Sequence, residues 1–182
     1  MVRVSAAQAG DLWFGVAFCG EELVATAMSS CRHGAVNAVR QCIPDGLTVF
    51  PPEDPCDFVT RTVGMLRELQ RGQEEHKQFS LSADLLPQPL YRILTVAAAV
   101  PIGYVTTYGR VADAAGSVAR VVGRVMATNP LYPIVACHRI VGAQMALVGY
   151  GGRQDQRALS AKLERLKAEA RGHGDARNVP AG

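Results

Sequence analysis

Cys137-His138-Arg139 is the segment where residue types and spacing best suit chemistry. A thiolate, not a thiol, is the nucleophile, and an adjacent imidazole or cation favours it. A lone cysteine is otherwise a small core residue. Adjacent residues on a strand point to opposite sides, so His138 needs a turn or a bridging water to act on Cys137. A carboxylate is then wanted to orient the imidazole. Glu164, on the expected inner part of the last helix, is the candidate. The other cysteines, Cys19, Cys31, Cys42 and Cys56, are not in paired CxxC spacing. A zinc ribbon is therefore not expected, and only a looser set, Cys31 and His33 with His76, remains as a possible metal site. No cofactor and no metal are expected.

Elements must position this segment. Leu12 to Cys19 and Leu23 to Ser29 are rich in strand formers, with Gly20-Glu21-Glu22 as the hairpin loop between them. Pro44 to Pro55 reads as a loop. Phe58, Val59, Val63, Leu66 and Leu69 then recur at helical spacing, and 79–86 reads as a further short strand. Pro87-Gln88-Pro89 is the expected junction. After it, Pro89 opens a helix through Leu90, Ile93, Leu94 and Ala97. Tyr108 to Ala115 is a short helix, Gly116 a tight turn, and Ser117 the N-cap of a helix to about Ala127. The pair resembles a helix-turn-helix. On its second helix Val118, Val121, Val122 and Val125 form the expected core face. Ala119, Arg120, Gly123, Arg124 and Ala127 form the other. Small residues let a backbone approach a nucleic-acid groove, and arginines meet phosphate. The last helix carries the apolar stripe Leu159, Leu163, Leu166 and Ala170, and residues 173–182 are expected to be a flexible tail.

The whole chain has 182 residues, 48% hydrophobic and 19% charged, enough to bury a core. No apolar run reaches the roughly 18 residues of a membrane span. The start lacks a signal-peptide layout, so the expectation is a soluble cytoplasmic protein. The net charge of +3 divides unevenly. Residues 1–87 hold 7 Lys+Arg against 11 Asp+Glu, net −4, and residues 88–182 hold 12 against 5, net +7. An acidic half joined to a basic half suggests two domains, 1–87 and 88–172, the second meeting a polyanion. A solvated basic face is the plainer reading.

Several segments together carry a specific resemblance. PIVACHRIVG (133–142) resembles the active-site signature of the O6-alkylguanine-DNA alkyltransferases. VPIGYVTTYGRVADAAG (100–116), SVARVVGRVMATNP (117–130) and GYGG (149–152) resemble that family's approach to its helix-turn-helix, its recognition helix and its substrate-pocket loop. The resemblance spans about residues 89–170.

It implies an α/β fold, with a ribonuclease-H-like N-terminal sheet and helix and a mostly helical C-terminal domain carrying the helix-turn-helix. It implies a monomeric DNA-repair protein that flips O6-alkylguanine from duplex DNA through the minor groove. The alkyl group passes irreversibly to Cys137, once per molecule. By position, His138 would deprotonate Cys137 through a water, with Glu164 orienting it. Asn129 would brace the active-site turn. Tyr108 would assist departure of the guanine, and Arg120 would fill the space left in the duplex. Arg139 would be structural. Tyr150, Gly151, Ile140 and Val141 would form the base pocket.

The chain departs from the family pattern at Ala136, where Pro is usual, and at Arg153, which follows the pocket glycines. The alternatives are a lesion-binding relative that does not dealkylate, a Cys-His hydrolase unrelated to DNA, and a purely structural DNA-binding module. Alkylation of Cys137 separates the first reading from all three.

Overall fold

The computed structural model describes residues 1–72 and 79–176, with the backbone alone for 171–176. His76 lies outside these residues. Two compact units are present: Met1–Tyr91 with Asn129–Val135, and Arg92–Thr128 with residues 136 onward. Together they form a mixed α/β fold.

The first unit is built on a three-stranded antiparallel meander, β1 (Arg3–Ala9), β2 (Leu12–Cys19) and β3 (Glu22–Ser29). β2 is an almost continuous apolar run because it is central and covered on both faces. Its alternation sends Gly15 to one face, against α1 (Arg32–Gln41). A Cβ on Gly15 would stand 2.4 Å from the Ala35 carbonyl oxygen, so only glycine allows the helix to lie this close. On the other face the Phe18 ring lies 5.3 Å from that of Phe58, on α2 (Asp57–Gln70).

Strand β1 and helix α1 had no expectation from the sequence. Helix α1 carries polar and charged side chains along most of its length, and its buried residues are Ala35, Val36 and Val39. So short an apolar stripe gives little periodicity to read. The expected strand at 79–86 reduces to one parallel bridge, Leu23 to Leu81, followed by turns.

The Asn129–Val135 segment belongs to the sheet. Thr26 pairs with Leu131, its amide donates to the Pro130 carbonyl at 2.7 Å, and its hydroxyl donates to the Tyr132 carbonyl at 2.8 Å.

The second unit holds α3 (Gln88–Ala98, its first turn in the other unit), α4 (Tyr108–Ala115), α5 (Ala119–Thr128) and α6 (Gln156–Ala176). A short parallel pair, β4 (Thr106–Thr107) and β5 (Ile140–Val141), joins the start of α4 to the segment after Cys137. Thr107 caps α4 by accepting the Arg110 amide at 3.2 Å. Gly116 ends it in the left-handed region, φ 62°. There the Ser117 amide donates to Ala112 and the Gly116 amide to Asp113, the paired bonds of a Schellman turn.

α5 begins at Ala119 instead of at a Ser117 cap, and Val118 is exposed, not part of the core face. Its amides start their bonding at the Val118 carbonyl, which leaves that side chain outside the helical stripe. Val122 and Met126 are the buried residues of α5. The backbone of α6 stays helical to Ala176, four residues into the expected tail, and 177–182 lie outside the described residues.

Candidate active site

Cys137, His138 and Arg139 form a single buried turn of 3-10 helix, closed by the Arg139 amide on the Ala136 carbonyl at 2.9 Å. The turn replaces the strand alternation that would have parted Cys137 from His138.

The carboxylate that meets His138 is Glu169, not Glu164. The His138 Nε2 to Glu169 Oε1 distance is 2.6 Å, with both side chains buried. A carboxylate only accepts, so Nε2 carries the hydrogen of this bond. Nδ1 is buried and hydrogen-bonds no described protein atom. Glu164 is exposed and pairs with Lys167 at 3.0 Å.

The physical reason lies in the facing of α6. Its inward stripe is Ala158, Lys162 and Glu169, while Leu163 is 37% exposed. Leu159 and Leu166 flank this stripe and are half-buried, while the charged groups of the stripe find their partners inside.

Burial pushes the Glu169 carboxyl up, but hydrogen bonds from His138 and Arg139 outweigh it and hold it at about 2. Arg139 is locked by the same group. Its Nε donates to both Glu169 oxygens, at 3.0 and 3.2 Å, its Nη2 to Oε1 at 3.0 Å, and its Nη1 to the Val100 carbonyl at 2.7 Å.

Lys162 had no signal in the sequence. Its side chain is fully buried, with Nζ donating to the Ile140, Val148 and Gly149 carbonyls at 2.6, 3.0 and 3.2 Å. Nζ also lies 5.7 Å from the centre of the Tyr108 ring. Burial pulls the ammonium's pKa down, and the charge of Cys137 opposes this. Burial and the charge of Cys137 both raise the Tyr108 phenol. The phenol therefore keeps its proton at neutral pH.

A cavity of about 720 Å³ opens on Cys137. Tyr108 lines it, as do Tyr150 and Gly151, and so does the whole small-residue face of α5: Ala119, Arg120, Gly123, Arg124 and Ala127. Ile140 and Val141 do not line it. They are the buried strand β5, and Ile140 contributes only its carbonyl, to Lys162.

Tyr150, Gly151, Gly152 and Arg153 make a two-residue hairpin turn, with hydrogen bonds of 2.8 and 3.1 Å between the end residues. Both central glycines have positive φ, 55° and 74°, as a type I′ turn requires.

Asn129 is not in the cavity. Its Nδ2 donates to the Val135 carbonyl at 2.7 Å and its Oδ1 accepts the Leu131 amide at 3.2 Å, which shapes the segment two residues short of Cys137. All five cysteines are free thiols. Among the described residues, no group of three or more His, Cys, Asp and Glu side chains is placed to hold a metal.

With this geometry in hand, residues 90–171 match the family described as "6-O-methylguanine DNA methyltransferase, DNA binding domain". Over these residues, a little under half of its length, the chain is similar to the O6-alkylguanine-DNA alkyltransferases. A methylated-DNA–protein-cysteine methyltransferase of Mycobacterium tuberculosis is 40% identical over 73 residues, 39% of this chain and 44% of that one. The chain thus spans less than half the length of that alkyltransferase relative. A similarly named alkyltransferase of Methanocaldococcus jannaschii is 26% identical over 159 residues, 87% of this chain and 92% of that one. In structure, the chain is similar to a Mycobacterium tuberculosis protein solved in complex with DNA, with TM-score 0.61 at 22% identity, over 93% and 94% of the two chains. At that identity the likeness to the alkyltransferase is one of fold.

Proposed function

We propose that this chain is a single-use DNA repair alkyltransferase that moves the alkyl group from O6 of guanine to its own Cys137. The observation that carries the reading is the buried Cys137-His138-Glu169 arrangement opening on a cavity whose other wall is the arginine-bearing face of α5. The relatives named above as methyltransferases, and the relative solved with DNA, support the same chemistry and partner.

In the reaction, Nδ1 of His138 accepts the Cys137 proton, directly or through one water. The thiolate attacks the alkyl carbon, an S–C bond forms, and the C–O6 bond breaks with its electrons on guanine. The guanine takes a proton, for which the Tyr108 hydroxyl is the donor at hand. Glu169 holds the imidazole in the right tautomer and stabilises its charged form. Nothing on this path restores the thiol, so each molecule reacts once.

The target atom lies inside the base stack, so the nucleotide must leave the duplex, which costs a few kcal/mol. A 720 Å³ cavity has room for it. In this reading α4 and α5 act as a helix-turn-helix docked in the minor groove, with Arg120 entering the space left behind. The first unit is the ribonuclease-H-like domain, and the protein works as a monomer.

Intact-mass measurement after incubation with excess duplex carrying O6-methylguanine tests the reading. One added methyl per chain, mapped to Cys137 and absent in Cys137→Ala, is expected. Tight binding to the lesion duplex with no added mass would sink it in favour of a lesion-binding protein.

A further inference from the structure

Arg153 follows the pocket glycines, where the transfer chemistry has no use for it. It lines the cavity together with Arg120 and Arg124, and no carboxylate lines it with them. The type I′ turn fixes where it stands. Gly152, just before it, is seated against the end of α5: a Cβ there would lie 3.3 Å from the Ala127 carbonyl oxygen. The turn therefore holds Arg153 across from the two arginines of α5.

Its guanidinium is also oriented. Nε donates to Asp155 Oδ2 at 2.7 Å, while Asp155 Oδ1 accepts the Ala158 amide at 3.1 Å and so caps α6. The backbone amide of Ala158 and the Arg153 contact hold the Asp155 carboxyl below its usual range, so it stays charged at neutral pH. The tether takes one edge of the fork. The Nη1–Nη2 edge hydrogen-bonds no described residue, and the side chain is 68% exposed.

We propose that Arg153 is a DNA-phosphate-binding residue, so that the loop closing the base pocket is itself anchored on the duplex opposite α5. This rests on the alkyltransferase reading above. A phosphate offers two acceptor oxygens to the outward edge of the fork, which is the bidentate geometry arginine favours. A methyl adduct offers none.

The test is duplex binding by the full chain as wild type, Arg153→Gln and Arg153→Lys. Fluorescence anisotropy with a short unmodified duplex would be followed from about 50 to 200 mM salt. Arg153→Gln is expected to lower the slope of log K against log salt by about 1 and to weaken binding about 3- to 10-fold near 0.1 M salt, the share of one phosphate. Arg153→Lys is expected to keep most of the slope, since it keeps the charge. A wild-type slope in Arg153→Gln would overturn the proposal. Equal losses in both variants would also overturn it, because they would assign the effect to the shape of the turn. The same preparations would be mixed with O6-methylguanine duplex and weighed. A wild type that gains no methyl would sink the alkyltransferase reading, whereas the slope comparison reports on Arg153 alone.

Discussion

Glu169 illustrates how one side chain serves both stability and chemistry. It is the shared acceptor for His138 and Arg139, so removing its charge strands a buried guanidinium. Glu169→Gln is expected to cost about 3 kcal/mol in urea unfolding. Because the folded carboxyl is held at about 2, below its ordinary 4.5, it contributes stability above pH 4.5 that is lost as pH falls towards 2. The variant should show a flatter acid limb over that window. In the same variant alkyl transfer should slow, since an amide oxygen can still accept from His138 but carries no negative charge to stabilise its imidazolium. Glu164→Gln, on the exposed side, should change neither the acid limb nor the rate.

Ala136 is the other residue with a definite expectation. Its φ is −78°, within the range of proline, and its amide donates to no described residue. Ala136→Pro is therefore expected to be tolerated and to raise stability by about 0.4–1 kcal/mol through the unfolded chain. A fall in melting temperature would show that the turn needs a freedom that φ alone does not reveal.

At the scale of elements, α5 carries a glycine that the protein by itself does not require. A Cβ on Gly123 would meet nothing within 4 Å, and glycine inside a helix costs about 1 kcal/mol against alanine. Gly123→Ala is expected to raise stability by about 0.5–1 kcal/mol while weakening duplex binding, because the added methyl stands on the wall facing the proposed DNA. Gain of stability with unchanged binding would place the duplex elsewhere.

The turn at Ala143–Met145 shows the reverse case. Gln144 and Met145 both have positive φ, 56° and 61°, without being glycine. Gln144→Gly is expected to gain about 1 kcal/mol, read as a higher unfolding midpoint.

At the scale of the whole molecule, the order of the chain is not the order of its packing. Asn129–Val135 lies in sequence between α5 and Cys137, yet it packs with the β-sheet unit. Leu131 is fully buried there, and Thr26 supplies two hydrogen bonds to its neighbours. A chain starting at Gln88 would lose those partners and expose that leucine, about 1.5–3 kcal/mol of burial. It is expected to melt at a lower temperature and less cooperatively than the full chain by differential scanning calorimetry. Equal melting would show that this segment is indifferent to the sheet.

The sequence by itself determined the cysteine and its neighbours, the helix pair around Gly116 and, on α5, the burial of Val122, while Val118 fell outside the core face expected of it. These are local: residues i to i+4 and turn glycines are read from spacing alone, because the helix and turn periods relate neighbours in sequence. Tertiary structure alone decided which acid meets His138. Glu164 and Glu169 sit on the same helix, and spacing alone does not choose between them. Burial of Lys162 and Glu169 is favourable only because three carbonyls, an imidazole and a guanidinium, all distant in sequence, converge on them. A charge is excluded from an interior until its partners arrive, and partners that arrive from elsewhere in the chain leave no local period to read.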